Sequence, residues 1–475
     1  MHRLKLIALV CLITVGFAEN SSTTLMEAKL YVNDARDLNR LGGLAGDLYI
    51  CSRGADEKGT YLALVTDAEQ LARISDCGLE TAVTWADLDE KFRLLTGVDP
   101  HDASSLQTFG YYFTYWEMRD SLNALATAHP EVCSLFTIGV TSQGRDILCL
   151  KISDSASEEE DEPACYFSGA THGDEPMGTS IVMGFLQQIL SGYGTDPLST
   201  WLVDNREIYT VPILNPDCSV FCSDSGGAGV YWRKNRRVVV PPNIGVDPSR
   251  NHAYKWGYDD IGSSPNPGAH AYRGPYPWSD AEAAAARDLG AAHRFRTEQD
   301  FHCFGGYNCY PWGYTYSSPP EQALLQEVVD TFQMYNDYDD TRTGQASQVL
   351  YLCNGIQIDW GLSDTAGKFI TYAFTSRPTP GSTPAGTTPR SCAGRLTETS
   401  RPSSTWPASR VCTSTRWRAR STIRGWATRR AVSTRARPRA SGSPSGIGPY
   451  TRWTRLTAST RSWCRSTRSL RCRTR

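Results

Sequence analysis

Residues 164–175 read Ala-Cys-Tyr-Phe-Ser-Gly-Ala-Thr-His-Gly-Asp-Glu. Cys165, Tyr166 and Phe167 form a short β-prone apolar run that stops at Ser168-Gly169. Apolar residues then recur at helical spacing: Ile181, Val182, Phe185, Leu186, Ile189 and Leu190. A buried strand followed by a buried helix predicts a βα unit. Between them His172 and Glu175 stand three residues apart in a glycine-containing loop. Imidazole and carboxylate are both good Zn²⁺ ligands, and a loop at a strand end can turn them towards one point. Two ligands are half a site, and taken alone the pair reads equally as a solvated surface pair.

Outward from this unit the alternation continues. Towards the N-terminus, Phe136–Val140 and Ile147–Ile152 read as strands around the turn Ser142-Gln143-Gly144-Arg145. Met118, Leu122, Leu125 and Ala126 predict a helix that stops at His129-Pro130. Towards the C-terminus, Glu207–Ile213 reads as a strand, and Ser279-x-x-Glu282 predicts a capping box before an alanine-rich helix. Leu324, Leu325, Val328 and Phe332 mark one more amphipathic helix. Strands alternating with helices predict an α/β domain with a mixed, mostly parallel central sheet. Residues 19–100 read as a small separate α+β unit, with strands at Ala28–Val32 and Tyr61–Val65 and a helix over Asp67–Ile74 capped by Asp67. The polar stretch Gly97–Ser105 is its expected boundary.

The net charge of −2 averages two unlike parts. Residues 376–475 hold 22 Arg, no Lys and one acidic residue, Glu398, so residues 1–375 carry a balance of −23. An acidic body excludes an extended nucleic-acid footprint. The start, Met-His-Arg-Leu-Lys followed by an apolar run from Leu6 to Ala18, has the layout of a secretory signal over residues 1–18. It is shorter than the roughly 20 apolar residues of a membrane span. Export agrees with fifteen cysteines, ten of them between Cys51 and Cys353. Cys218 with Cys222, or Cys303 with Cys309, could pair locally, but spacing does not assign a pairing. From Ser376 the composition changes abruptly. The last 100 residues contain seven Leu, Ile, Val or Phe, too few for a core. One expectation is a disordered basic tail over 376–475; the preferred one is coding sequence read in a shifted frame.

His302, in Asp300-Phe301-His302, is the best-placed third ligand, and a structural role for it remains open. Trp232-Arg233-Lys234-Asn235-Arg236-Arg237, followed by Gly245-Val246-Asp247-Pro248-Ser249-Arg250-Asn251, groups arginines inside an acidic body. Arginine can grip a carboxylate in a bidentate fork or stabilise an oxyanion. The blander account is a salt-bridged loop.

With these runs in place the chain resembles the secreted zinc metallocarboxypeptidases, of the carboxypeptidase A/B and bacterial carboxypeptidase T kind. Gly144-Arg145, H-G-D-E at 172–175, N-P-D at 215–217, W-R-K-N-R at 232–236 and G-V-D-P-S-R-N at 245–251 carry the likeness. It continues through K-W-G at 255–257, Tyr272-Arg273-Gly274-Pro275, D-F-H at 300–302, Tyr310 to Tyr314, and Tyr351 through Ile358-Asp359-Trp360. The resemblance covers residues 110–375 and implies a catalytic domain over 105–375 with helices on both faces of the sheet, preceded by a propeptide. It implies one zinc ion on His172, Glu175 and His302, with a fourth position open to water. It further implies Arg233 as the group that polarises the scissile carbonyl, Arg250 with Ser249 as the clamp on the substrate's terminal carboxylate, and Tyr351 as a mobile cover. Arg145 would line the approach for upstream substrate residues, and Ile358 would floor the specificity pocket. An apolar floor suits apolar or aromatic C-terminal residues.

Two departures stand out. The family has Asn where this chain has Ser249. More seriously, its general-base Glu ends a Thr-Phe-Glu run, and here Tyr372-Ala373-Phe374-Thr375 is followed by Ser376-Arg377-Pro378, so that Arg377 holds the Glu slot. Loss of one T from ACC-TTC-GAG-GCC yields codons for Thr-Ser-Arg-Pro, which makes a one-base frameshift the expected cause. Arginine stays protonated and cannot serve as a base. The expectation is therefore a secreted, monomeric zinc carboxypeptidase made as a zymogen, acting on the C-termini of peptides and proteins, whose activity as written is in question. The alternatives are a non-catalytic zinc- or peptide-binding relative and a zinc amidase or deacylase of the same fold.

Overall fold

The computed structural model describes residues 24–32, 35–96, 112–224, 231–293, 295–303, 305–336, 340–363 and 370–376. The expected signal, the boundary at Gly97–Ser105, Arg377 and the tail beyond it lie outside the described residues. Among the described residues no helix is long and apolar enough to cross a membrane.

Four strands, β1 (Met26–Tyr31), β2 (Tyr49–Asp56), β3 (Gly59–Thr66) and β4 (Thr81–Trp85), form an antiparallel sheet in the order β2-β3-β1-β4. Leu30, Leu62, Leu64 and Ile74 are its buried core. Asp67 caps the helix Ala68–Asp76, its carboxylate accepting from the backbone N–H of Gln70 at 2.8 Å, as the sequence predicts. A β-bulge between Ile50 and Ser52 turns β2, an edge strand, where it crosses the rest of the molecule.

The main sheet has eight strands: β5 (Cys133–Val140), β6 (Asp146–Ile152), β7 (Ala164–Gly169), β8 (Glu207–Val211), β11 (Phe295–Cys303), β12 (Tyr307–Tyr310), β13 (Thr343–Gln345) and β14 (Ile370–Ser376). A small hairpin, β9 (Val238–Val240) and β10 (Asn243–Ile244), stands outside it. The order is β13-β12-β14-β11-β7-β8-β6-β5. The central strands β14, β11, β7 and β8 run parallel. β6 and β5 add antiparallel at one side, and β12 pairs antiparallel with β14 at the other. The architecture is thus mixed α/β, parallel in its middle, as expected.

Alternation along β6 builds a core on each face. Leu148, Leu150 and Ile152 pack with the helices Tyr115–Ala128 and Pro176–Gly192, while Ile147 and Cys149 pack with the helix Ala281–Ala292. Helices therefore cover both sides. The helix Pro176–Gly192 lies very close to the sheet. A Cβ on Gly178 would come within 2.5 Å of the Phe301 carbonyl oxygen, so only glycine allows its first turn to sit on β11.

One local expectation is corrected and one open question is answered. The capping box at Ser279 and Glu282 does not form: the helix starts after Asp280 with no side-chain cap. The Asn235 amide instead donates to Asp280 and to Glu282, both at 2.8 Å, and Arg237 donates to Asp280 at 3.2 Å. The basic cluster has recruited the acids that would have capped the helix. Cys218 and Cys309 carry no disulfide, so neither of the two local pairings that the spacing left open is formed.

Candidate metal centre and surrounding cleft

β7 ends at Gly169, Ala170 takes a left-handed backbone (φ 45°), and the chain turns through His172 to Glu175 before the helix at Pro176 begins. A left-handed alanine is an uncommon conformation held by its surroundings. Parallel pairing sets Asp300 beside Ser168 and Phe301 beside Gly169, so His302, one residue further along β11, arrives at this turn. Ligand atoms of His172, Glu175 and His302 all lie within 4.8 Å of one another. His172 Nδ1 donates to Glu175 Oε1 at 2.7 Å, and His302 Nδ1 donates to Glu175 Oε2 at 2.8 Å.

Each imidazole is backed by an acid on its far side. Asp300, two residues before His302 on the same face of β11, accepts from His302 Nε2 at 2.8 Å. Ser168 and Thr171 donate to its other oxygen at 2.9 and 3.1 Å. His172 Nε2 has Arg233 Nη2 at 2.7 Å and the Ser249 hydroxyl at 2.9 Å, with Asp247, which accepts from Arg233 Nε at 3.0 Å, behind them at 3.2 Å. Carboxylates in this position fix ring orientation and raise ligand basicity. Two imidazoles, one carboxylate and these outer acids are a donor set suited to zinc.

Burial alone would push these acids up. For Glu175 it is outweighed by His172 and His302, which hold its carboxyl well below the usual carboxylate range. For Asp247 it is outweighed by Arg233, then His172 and Arg250. Burial disfavours a charged His302, but Asp300 and Glu175 on either side raise its pKa well above the ordinary value.

One cavity of about 120 Å³ is bordered by the three ligand-type residues and by Arg233, Ser249, Arg250, Tyr351 and Ile358. Arg250 is buried, donates to the Ser249 carbonyl and hydroxyl at 3.0 and 2.8 Å, and its Nε is buried without a partner. The Ser249 hydroxyl donates to Asp247 at 2.8 Å, tying the 247–250 turn to the acid behind His172. Ile358 is buried in the helix Gln357–Leu362. Tyr351 is half-buried and packs both on Cys353, Ile356 and Ile358 and on the core of the N-terminal sheet. Arg145 is not brought to this cavity. It donates to Asp217 and to Gln143 at 2.7 and 2.6 Å, among the polar groups that hold the turn after β5.

β2 closes the cavity from above, with Tyr49, Ile50 and Cys51 in its wall. The volume left is below the roughly 300–1,000 Å³ of sites that enclose an organic ligand. Tyr49, Asp174, Asp247 and Asp300 went unassigned in the sequence. Asp247 and Asp300 carry a faint signal there, as acids inside an arginine cluster and next to a candidate ligand; Tyr49 carries none.

The profile of the zinc carboxypeptidases matches residues 118–388, more than half of the chain. The chain belongs to the zinc carboxypeptidase family. It is 30% identical over 323 residues to a zinc carboxypeptidase of Saccharothrix mutabilis subsp. capreolus, covering 64% of this chain and 72% of that protein. It is 29% identical over 295 residues to carboxypeptidase A1 of Rattus norvegicus, covering 61% and 67%. The crystal structure of carboxypeptidase A from Helicoverpa armigera superposes with a TM-score of 0.65 at 19% identity, over 87% of this chain and 98% of that one, a likeness of fold. Zinc is the metal of this family, and His172, Glu175 and His302 are the candidate site for it in this zinc carboxypeptidase.

Proposed function

We propose that this chain is built to remove the C-terminal residue of peptides and proteins, with zinc on His172, Glu175 and His302. The observation that carries this is a single cavity holding the three ligand-type side chains, a buried Arg233 and a buried Arg250 with a spare donor. Arg250, backed by Ser249, takes the free carboxylate of the substrate in a charge-assisted fork. Ile358 floors the pocket for the terminal side chain and favours apolar or aromatic residues. Tyr351 covers the bound end. Arg233 is oriented by Asp247 and donates to the scissile carbonyl oxygen as negative charge grows on it. Zinc, when held, supplies a Lewis acid and lowers the pKa of a water at its open position to about 7. Asp300 and Asp247 keep the two imidazoles oriented for it. Arg145, held by Asp217 and Gln143 outside the cavity, contacts residues preceding the cleaved bond in this reading.

The N-terminal unit is the pro-region of an exported, monomeric zymogen in this reading. β2 lies over the cavity, and Arg53 both donates to and accepts from the Tyr307 hydroxyl at 3.0 and 2.9 Å. As written the chain lacks the general base, since Arg377 stands in its slot. A base is worth about 10² to 10⁴ in rate. That observation favours one second reading, a zinc- and peptide-binding relative without catalysis.

The test compares the chain as written with one carrying Thr-Phe-Glu-Ala at 375–378 and the frame restored beyond it, both after removal of the N-terminal unit. Chelator-sensitive release of C-terminal residues is expected from the restored protein and at least about 10²-fold less from the chain as written. Zinc bound to the restored protein without any release would sink the peptidase reading in favour of the binding one.

A further inference from the structure

We infer that Asp174 forms the floor of an upstream specificity pocket for a tyrosine side chain, which β2 fills with Tyr49 in the intact chain; the inference rests on the carboxypeptidase reading. Asp174 sits between His172 and Glu175 in the turn, 2% exposed, with Oδ1 buried and unpartnered. Its other oxygen accepts the Tyr49 hydroxyl, a contact spanning 125 residues of sequence. The Tyr49 ring is enclosed by three neighbours. The His270 ring lies tilted at 5.1 Å, Tyr231 stands edge-on at 6.3 Å, and the Arg233 guanidinium is 5.7 Å from the ring centre.

The pocket is therefore aromatic-walled, acid-floored and bordered by a cation. Each part selects. A buried carboxylate with a free lone pair demands a donor, so phenylalanine leaves it unpaired and glutamate repels it. Arg233 over the ring suits an uncharged π face and disfavours lysine or arginine. A phenol meets both requirements. β2 is an edge strand crossing the cleft, so Tyr49 enters from an extended segment, the conformation in which a substrate presents its residues. Arg233 borders the Tyr49 ring and His172 and Glu175 flank Asp174, whereas Arg250 takes the terminal carboxylate in the proposed reading, so the Tyr49 pocket serves a residue before the cleaved bond.

Full-length Tyr49→Ala protein with zinc is titrated with fluorescent peptides sharing one C-terminal residue and carrying Tyr, Phe, Lys or Glu upstream, each as free acid and as amide. The Tyr free acid is expected to bind at least about tenfold tighter than the others, with the preference lost in Tyr49→Ala/Asp174→Ala. Tyr49→Leu, which keeps apolar contact with the N-terminal sheet, replaces Tyr49→Ala if the latter does not fold. Free acids that bind without a Tyr preference, or a preference surviving Asp174→Ala, overturn the inference and leave the carboxypeptidase reading standing. Free acids that bind no better than amides to the protein freed of its N-terminal unit overturn that reading instead. Where β2 keeps every peptide out of the full-length variant, the pocket is decided by 4-methylphenol against toluene. A melting-temperature rise with the phenol alone, lost in Asp174→Ala, supports it; equal or absent shifts refute it.

Discussion

Among the described residues two trios of ligand-type side chains bring their atoms within 4.8 Å of one another: His172, Glu175 and His302, and Asp154, Glu160 and Glu162. By proximity they are equals, and in every other respect they differ. The first is assembled from a turn after β7 and from β11, is largely buried, mixes cationic and anionic groups, and has an acid behind each imidazole. The second comes from one acidic loop and from Asp154, which is exposed, and its members share one sign. Burial, then Glu160, pushes Asp154 and Glu162 upwards, Glu162 to about 7. Hydrogen bonds from two imidazoles to one carboxylate join the first trio, whereas the second brings groups of like charge together. Proximity alone does not make a site; counter-charge and outer partners do.

The sharpest way to break the contrast is to remove one ligand. His302→Ala is expected to lower zinc affinity by at least about 10³-fold, read by competition with a chromophoric chelator. His172→Ala should match it, while Asp154→Asn leaves zinc affinity within twofold. Next in size are the outer acids. Asp300→Asn keeps shape but loses the charge behind His302, and zinc affinity is expected to fall about 10- to 100-fold with the fold intact by circular dichroism. An unchanged affinity would mean that Asp300 serves the strand rather than the metal.

The first trio was largely legible in sequence because its members carry rare chemistry: eight histidines in the chain, two of them beside acids in recognisable runs. The alternation of β7, its helix and β8 was legible for the same reason, a change of hydrophobic period. What hid were groups whose meaning depends on a distant partner. Asp247 and Asp300 are ordinary acids until a register of parallel strands sets them behind imidazoles. Tyr49 is an ordinary strand residue until β2 crosses the cleft. The Ser279 capping signal misled because Asn235, 47 residues away from Glu282, competes for its carboxylate. Arg250 lies between these cases, its residue type legible and its spare donor not. Arg250→Met is expected to weaken binding of a free-acid peptide by about 10- to 100-fold and to leave its amide unaffected, measured on the protein freed of its N-terminal unit.

β11 also supplies an acid without a counter-charge, which sharpens the comparison from the other side. Glu298 shares a face with Asp300 and His302 but among the described residues its hydrogen-bond partner is the neutral Gln357 amide, which donates to it at 2.6 Å. Burial raises its carboxyl to about 8 from an ordinary 4.5. Below pH 4.5 both folded and unfolded chains hold this proton. Between 4.5 and 8 unfolding releases it, so the group's stabilising contribution falls with pH and is lost above 8. Glu298→Gln is expected to remove that slope and to stabilise the protein by about 1–2 kcal/mol at pH 8.5, with little change at pH 4.5, by denaturant titration. A parallel shift at both pH values would place the effect in packing instead of charge.

The smallest effect belongs to the acidic trio, and its sign is the informative part. Glu160 accepts a hydrogen bond from the Ser153 hydroxyl, which Gln can also accept, so Glu160→Gln removes charge and little else. The groups are half-buried or exposed, so water screens most of the repulsion. Glu162, raised to about 7, costs stability as pH rises from the ordinary carboxyl range through 7, and relief of repulsion counts only where it is ionised. Glu160→Gln should therefore stabilise the protein by no more than about 0.5 kcal/mol at pH 8 and leave it unchanged near pH 4. A cation site would behave oppositely. Millimolar calcium would raise the melting temperature of the wild type, and the substitution would abolish that rise while lowering stability in its presence. Like-charged, partly exposed acids should show the first pattern, because their mutual repulsion sets the sign of the change.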